Sequence, residues 1–479
     1  MAEEEKPEPK QAVVLIHGIG EQVPMDTLRG FVEAVWVTDL SLRWSNKPAQ
    51  AWSKPDAISG NFELRRLTTA DNRDKKRTDF FEFYWAHLME GTTLSHVGAW
   101  AKVLVLRWPW RVPRQLRGIW YLIIALFLLA VIAGLNHVFK FVPISLWVIK
   151  VGSFAWFIFN SLLIGFLIKY AGDAARYLHV APPNIEIRRR IREAGIQLLE
   201  KLHSSPMYDR IIVVGHSLGS VIGYDILTHL WVRYHNAHVM AASRNPTTYT
   251  ELDKLENMVR ESLTGSLDIK TYQTIQSAYL TELQSQGNKW KVTDFVTLGS
   301  PLAHASVLLA RDERNFVRKK EEREFPACPP VLEDRTVKKL KLKTFSFEKD
   351  GVWVPHHAAV FAPTRWTNLY FPCHWTFWGD LIGGPVAPMF GQGVKDIAVK
   401  TNLRLGLFSH TLYWSFPKNW KERTEPPLWI QQLRNAVRIL QNNEGGQGNV
   451  KVMMIKKRES GKARERRGLK REKRAKTRK

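Results

Sequence analysis
Cysteine is almost absent from this chain: Cys328 and Cys373 are the only two in 479 residues. That excludes a disulfide framework and any thiolate-rich metal centre, and it points to a reducing compartment for the soluble part. Residues 1–10, Met-Ala-Glu-Glu-Glu-Lys-Pro-Glu-Pro-Lys, have no apolar core, so they read as a disordered lead and not as a cleaved secretion signal. There is no phosphate-cradling glycine loop, no His/Cys/Asp/Glu cluster at metal-ligand spacing and no internal repeat, so no cofactor is expected. Acidic residues are also scarce, 45 against 70 Lys and Arg, which leaves a net charge of +25.

That charge is uneven. Lys451 to Lys479 holds fifteen Lys or Arg against three Glu, about half of the excess. Residues 446–479 are expected to be a disordered basic tail. Near anionic headgroups each basic residue contributes about 1 kcal/mol of attraction. Nucleic acid would draw the tail by counterion release, but it is the less favoured partner because of two apolar stretches elsewhere.

Those stretches are Ile119–Leu135, seventeen positions without a charge, and Phe141–Ile168, broken by Lys150. A helix needs about 20 apolar residues to span a bilayer. Trp108, Trp110, Trp120 and Tyr121 cluster at one end as interfacial aromatics do. Arg107, Arg111, Arg114 and Arg117 precede the pair, and Lys169, Arg176 and Arg188–Arg190 follow it. Residues 101–178 are therefore expected to be a membrane hairpin, spanning or re-entrant, with both outer ends facing the cytoplasm. The competing readings are a pair of buried core helices or an apolar lid. Nineteen tryptophans, several flanking these stretches, add to the membrane reading.

Outside the hairpin, short apolar runs alternate with helical patterns. Ala12–Ile16, Phe62–Leu67, Phe80–Trp85, Ile211–Val214, Phe295–Leu298 and Trp366–Phe371 read as strands, and Ile185–Leu202 and Pro427–Leu440 read as helices. Thr247–Lys291 is helix-compatible without an assigned task, and residues 311–345 read as a charged surface excursion. The pattern predicts an α/β fold with a mostly parallel sheet flanked by helices. Residues 11–100 and 179–445 would be its two parts, with the hairpin inserted between them.

One strand ends in Gly215-His216-Ser217-Leu218-Gly219 and runs straight into the helical pattern Val221–Leu227. Such a turn holds the serine strained with its hydroxyl exposed, and glycines on either side relieve the crowding. This elbow, the strand followed by His17-Gly18-Ile19-Gly20, and the later Thr297-Leu298-Gly299-Ser300-Pro301 together resemble the α/β-hydrolase superfamily, in particular its lipase and esterase-like members. The resemblance covers residues 10–30 and 175–440. It implies a serine nucleophile followed in the chain by an acid and then a histidine. Ser217 is the implied nucleophile, Asp380 the acid, in a glycine-flanked loop after a late strand, and His410 the base. An ordinary turn aspartate and a packed surface histidine are the competing readings of the last two. Asp350 is the best rival acid, with Asp396 behind it; His304, His356, His357 and His374 are rival histidines. The oxyanion donors implied are the backbone amides of Leu218 and Ile19, with His17 and His216 as shaping residues.

The function expected is a membrane-anchored serine hydrolase cleaving an ester or thioester, plausibly of a lipid, with its catalytic domain facing the cytoplasm. The same residues would serve an amidase, and a catalytically inert membrane scaffold with this fold is the alternative from another class.

Overall fold
The computed structural model of the chain describes residues 9–19, 23–42, 50–60, 63–89, 108–112, 172–178, 182–242, 250–337, 340–349, 352–373, 379–399, 407–418, 420 and 425–440, with scattered positions between 117 and 135. Strand β1 (Lys10–Ile16) is a run of small and branched apolar residues, and its Ala12–Ile16 segment is at most 1% exposed. A strand apolar at successive positions must be covered on both faces, as parallel strands are. After α1 (Asp26–Val32) come β2 (Ala51–Pro55), β3 (Arg65–Thr69) and β4 (Thr78–Phe83). Beyond the apolar stretches lie α2 (Gly172–Leu178), α3 (Pro182–Ser204), β5 (Tyr208–His216) and α4 (Leu218–Ala242). Then follow α5 (Thr250–Glu261), α6 (Ile269–Ser285), β6 (Val292–Leu298) and α7 (Glu313–Glu321). Two hairpins, β7 (Glu333–Val337) with β8 (Leu340–Thr344) and β9 (Ser346–Lys349) with β10 (Val352–Pro355), precede β11 (Arg365–Tyr370), β12 (Val394–Ala398) and α8 (Leu428–Val437).

Eight strands form one sheet in the order β12-β11-β6-β5-β1-β4-β3-β2. The six from β12 to β4 are parallel, and β3 alone runs against its neighbours. The segments before and after the apolar stretches thus share one sheet, joined where β1 pairs with β5, from Gln11 opposite Arg210 to Ile16 opposite Gly215.

Alternation sorts the side chains into two cores. Ala12, Val14 and Ile16 face one side with Ile211 and Val213, under α3, α4 and α6. Val13 and Leu15 face the other with Ile212 and Val214, under α1 and α8. The chain therefore leaves β1 toward one face and β5 toward the other. Adjacent parallel strands whose connections diverge leave a crevice at their carboxyl ends, the place where open α/β sheets bind ligands.

The opposite edge is tied by ions. Asp294, at the start of β6, accepts from Arg210 of β5 at 2.7 Å and from Arg365 of β11 at 2.8 Å. Asp79 of β4 accepts from Tyr208 of β5 at 2.7 Å and Arg66 of β3 at 3.2 Å.

The expected sheet is present, with differences in detail. Phe62–Leu67 is displaced to Arg65–Thr69, and Phe80–Trp85 to Thr78–Phe83. Strand β2 was not foreseen. Thr247–Lys291 supplies two helices, and the charged excursion of residues 311–345 holds α7 and a hairpin. No helix among the described residues is long and apolar enough to cross a membrane. Nine of the seventeen positions of Ile119–Leu135 are described, all of them helical and none buried, whereas Phe141–Ile168 and the basic tail lie outside the described residues.

Candidate active site
Strand β5 ends at His216 and α4 begins at Leu218, so a single residue makes the turn. That residue, Ser217, has φ +52°. A non-glycine residue in this region costs on the order of 1–3 kcal/mol, which the surroundings must supply. They do so by crowding and by hydrogen bonds. A side-chain carbon on Gly215 would lie 2.5 Å from the Ser220 Cα, and one on Gly219 would lie 2.2 Å from the Ile16 carbonyl oxygen. The glycines let the helix start pass directly over the end of β1. The Ser217 N–H donates to the Leu298 carbonyl at 2.9 Å, tying the turn to the end of β6.

Asp380 lies in the loop after β11 and is fully buried. The amides of Ile382 and Gly383 each donate to its Oδ1 at 2.9 Å, and the Tyr413 hydroxyl donates to Oδ2 at 2.7 Å. His410 Nδ1–H sits 2.9 Å from both carboxylate oxygens. Burial alone would raise the carboxyl pKa, but the His410 charge and the hydrogen bonds from His410, Gly383 and Tyr413 outweigh it and hold the group at about 2. An aspartate with four donors, facing the Nδ1 of a histidine thirty residues later, is more than a turn-former.

The pair is placed beside the serine by two contacts. His216 Nε2–H donates to the His410 carbonyl at 2.8 Å. Gly299, next to the carbonyl that receives the Ser217 amide, approaches the pair so closely that an added side-chain carbon would lie 2.7 Å from Asp380 Oδ2 and 3.0 Å from His410 Nδ1. Burial, and next the charge of His410, lower the His216 pKa to about 3, so His216 is a neutral clamp at ordinary pH. His410 Nε2 is buried and has no hydrogen-bond partner among the described residues; no bond joins it to Ser217 Oγ. The acid–histidine link is formed, and the histidine–serine link is open.

The loop after β1 borders the same spot. His17 is buried and stacked on Trp85, with ring centroids 5.1 Å apart. Its Nδ1–H donates to the Gly18 carbonyl at 2.8 Å, and its Nε2 accepts from the Trp85 amide at 3.3 Å. Both nitrogens are used, and burial lowers its pKa to about 4, consistent with a shaping residue. A side-chain carbon on Gly18 would be 3.0 Å from Ser217 Cβ, so this backbone lies against the serine. Ile19 follows, half-buried and packed on the core beneath α4. Leu218 opens α4, in the first turn, where amides lack intrahelical acceptors.

Three of the six rivals are otherwise engaged. Asp396 accepts from the amides of Val386 and Ala387, each at 2.9 Å, and from Asn368 at 2.8 Å. His304 donates to the Leu381 carbonyl at 3.3 Å, and His356 donates to the Val331 carbonyl at 3.3 Å. His357 is half-buried, beside His356. Asp350 and His374 lie outside the described residues. Tyr413 was missed, since nothing in a sequence marks a core tyrosine as a carboxylate donor. Among the described residues no group of three or more His, Cys, Asp or Glu is placed to hold a metal ion. Comparison of the chain with protein-family models, curated proteins and solved structures finds no match.

Proposed function
We propose that the protein is a serine hydrolase cleaving an ester or thioester. The observation that carries this reading is the buried Asp380–His410 pair set beside a left-handed Ser217 at the carboxyl edge of a parallel sheet. In the proposed reaction the Ser217 hydroxyl attacks the substrate carbonyl carbon while its proton passes to His410 Nε2. The carbonyl oxygen becomes an oxyanion held by the amides of Leu218 and Ile19. Collapse expels the alcohol or thiol, which takes the proton from His410 and leaves an acyl-serine. Water, deprotonated by the same imidazole, releases the acid. Asp380 fixes the imidazole through Nδ1 and stabilises its charged form. The fold is read as α/β-hydrolase-type, with the apolar stretches Ile119–Leu135 and Phe141–Ile168 as an inserted membrane hairpin, α2 belonging to the α/β domain, and the basic tail on an anionic bilayer. That placement favours lipid esters reached from the cytoplasmic face.

The open histidine–serine contact supports a second reading, an inert scaffold that keeps the fold and binds without turnover. A fluorophosphonate probe separates the two. Labelling of the wild type that disappears in Ser217→Ala and falls at least a thousandfold in rate in His410→Ala is the outcome expected for the enzyme. A folded wild type that remains unlabelled selects the scaffold.

A further inference from the structure
Away from the serine edge, α3, α4 and the segment around α7 line a partly open pocket of about 310 Å3. One of its lining residues, Tyr224, lies seven residues past Ser217, roughly 10 Å along the α4 axis. Its wall is apolar at Leu178, Leu309 and Phe325, and carries the cations Arg188, Arg192 and Lys319. Two of these have partners. Arg192 donates twice to Asp225 Oδ2, at 3.0 and 2.6 Å, and Lys319 donates to Glu324 at 2.7 Å. The Tyr177 hydroxyl donates to the same Asp225 oxygen at 2.9 Å. Arg188 is the cation left over. Its guanidinium stands 5.6 Å from the centre of the Tyr177 ring, and its Nε and Nη1 are buried with no hydrogen-bond partner among the described residues.

Two buried, unmatched donors on a half-buried guanidinium are costly, and a planar fork of N–H groups fits a carboxylate or a phosphate. The lining cations outnumber the carboxylates by one, so the excess positive charge sits at Arg188. His229, whose pKa burial lowers, adds none at neutral pH. Small-ligand pockets begin at about 300 Å3, so the volume suits one alkyl chain and not a two-chain lipid. We propose that this cavity binds a single-chain amphiphile, its oxyanion head on Arg188 and its chain along Leu178, Leu309 and Phe325. The site needs none of the serine chemistry, so it stands or falls separately from the proposed reaction.

The test is calorimetric titration of the full-length Ser217→Ala protein, held in lipid nanodiscs, with octanoate, octyl phosphate, octanol and inorganic phosphate. Saturable one-to-one binding of octanoate or octyl phosphate is expected, at least tenfold tighter than octanol or inorganic phosphate. Arg188→Gln should weaken it tenfold or more. Leu309→Trp, which fills the cavity and keeps the charge, should abolish it, so one variant decides if the other fails to fold. Inorganic phosphate binding as tightly as octyl phosphate would make this a free-anion site and overturn the amphiphile. Absence of saturable binding, or affinity unchanged in a folded variant, would overturn the site itself.

Discussion
The chemistry proposed for the serine edge depends on how a few side chains are held, and Tyr413 is the one whose contribution can be isolated. Its hydroxyl donates to Asp380 and accepts the Phe371 amide at 3.3 Å, so it joins the acid loop to the histidine loop. A hydrogen bond to a charged group contributes about 1.5–3 kcal/mol. Tyr413→Phe is therefore expected to slow fluorophosphonate labelling by roughly ten- to a hundredfold at constant folded fraction, through loss of support for the pair. A tyrosine with a purely structural role would lower the melting temperature and leave the labelling rate per folded molecule unchanged. Ser217, Asp380 and His410 were legible because each falls in a short pattern: an elbow, a glycine-flanked loop, a late histidine. Tyr413 was not, because the property that matters is its distance to a residue thirty-three positions away.

Among the elements, the β5–turn–α4 unit is the most constrained, and the constraint can be tested against a helix that is free of it. Gly219→Ala places a methyl 2.2 Å from the Ile16 carbonyl oxygen and 2.4 Å from that of His17, backbone atoms that cannot step aside. It is expected to destabilise the fold by about 3 kcal/mol or more and to end labelling. In contrast, the exposed Asp268 caps α6, accepting from the amides of Lys270 and Thr271. Asp268→Ala should cost about 1 kcal/mol in a denaturant titration and leave labelling untouched. Equal losses from both substitutions would mean that the turn is not special. At this scale the buried strands were readable because unbroken β-branched runs such as Ile211–Val214 leave few alternatives. Strand β2 was not: it is an edge strand, largely exposed, ends in Pro55 and carries no apolar alternation. Its pairing with β3 supplies what its sequence lacks.

For the whole molecule, the buried histidines govern the response to acid. Burial, the largest cause in each case, lowers the pKa of His17, His203 and His235 to about 4 and of His216 and His356 to about 3. Each folded value lies below the ordinary histidine value of 6.5, so the unfolded chain binds more protons between them. Stability is therefore full above about pH 6.5 and falls as pH drops toward 4 and 3, by up to about 1.4 kcal/mol per pH unit for each histidine. Glu82 works the other way. Burial raises it to about 7, so its contribution is present below the unfolded value of 4.5 and is lost as pH rises to 7; burial raises Glu256 and Asp396 as well. Asp380, depressed to about 2, adds a further loss below about pH 4. The melting temperature is thus expected to fall by several degrees between pH 7 and 5 and more steeply below; a flat profile over that range would show these imidazoles to be protonated without penalty.

The sequence by itself determined the local elements: apolar runs that must be covered on both faces, a one-residue turn that only glycines can flank, and a composition poor in cysteine. It also showed two long apolar stretches and a basic tail, for which a membrane hairpin and an anionic bilayer are the proposed readings. Tertiary structure alone decided which distant loops meet. Connections from β1 and β5 diverge to opposite faces, and the Leu298–Gly299 corner with the His216 clamp brought Asp380 and His410 to the edge that holds Ser217. It likewise decided that Arg188 would lack the acceptor its neighbours have. Periodicity is written in consecutive residues, whereas convergence depends on sheet order, which no stretch of the chain encodes by itself.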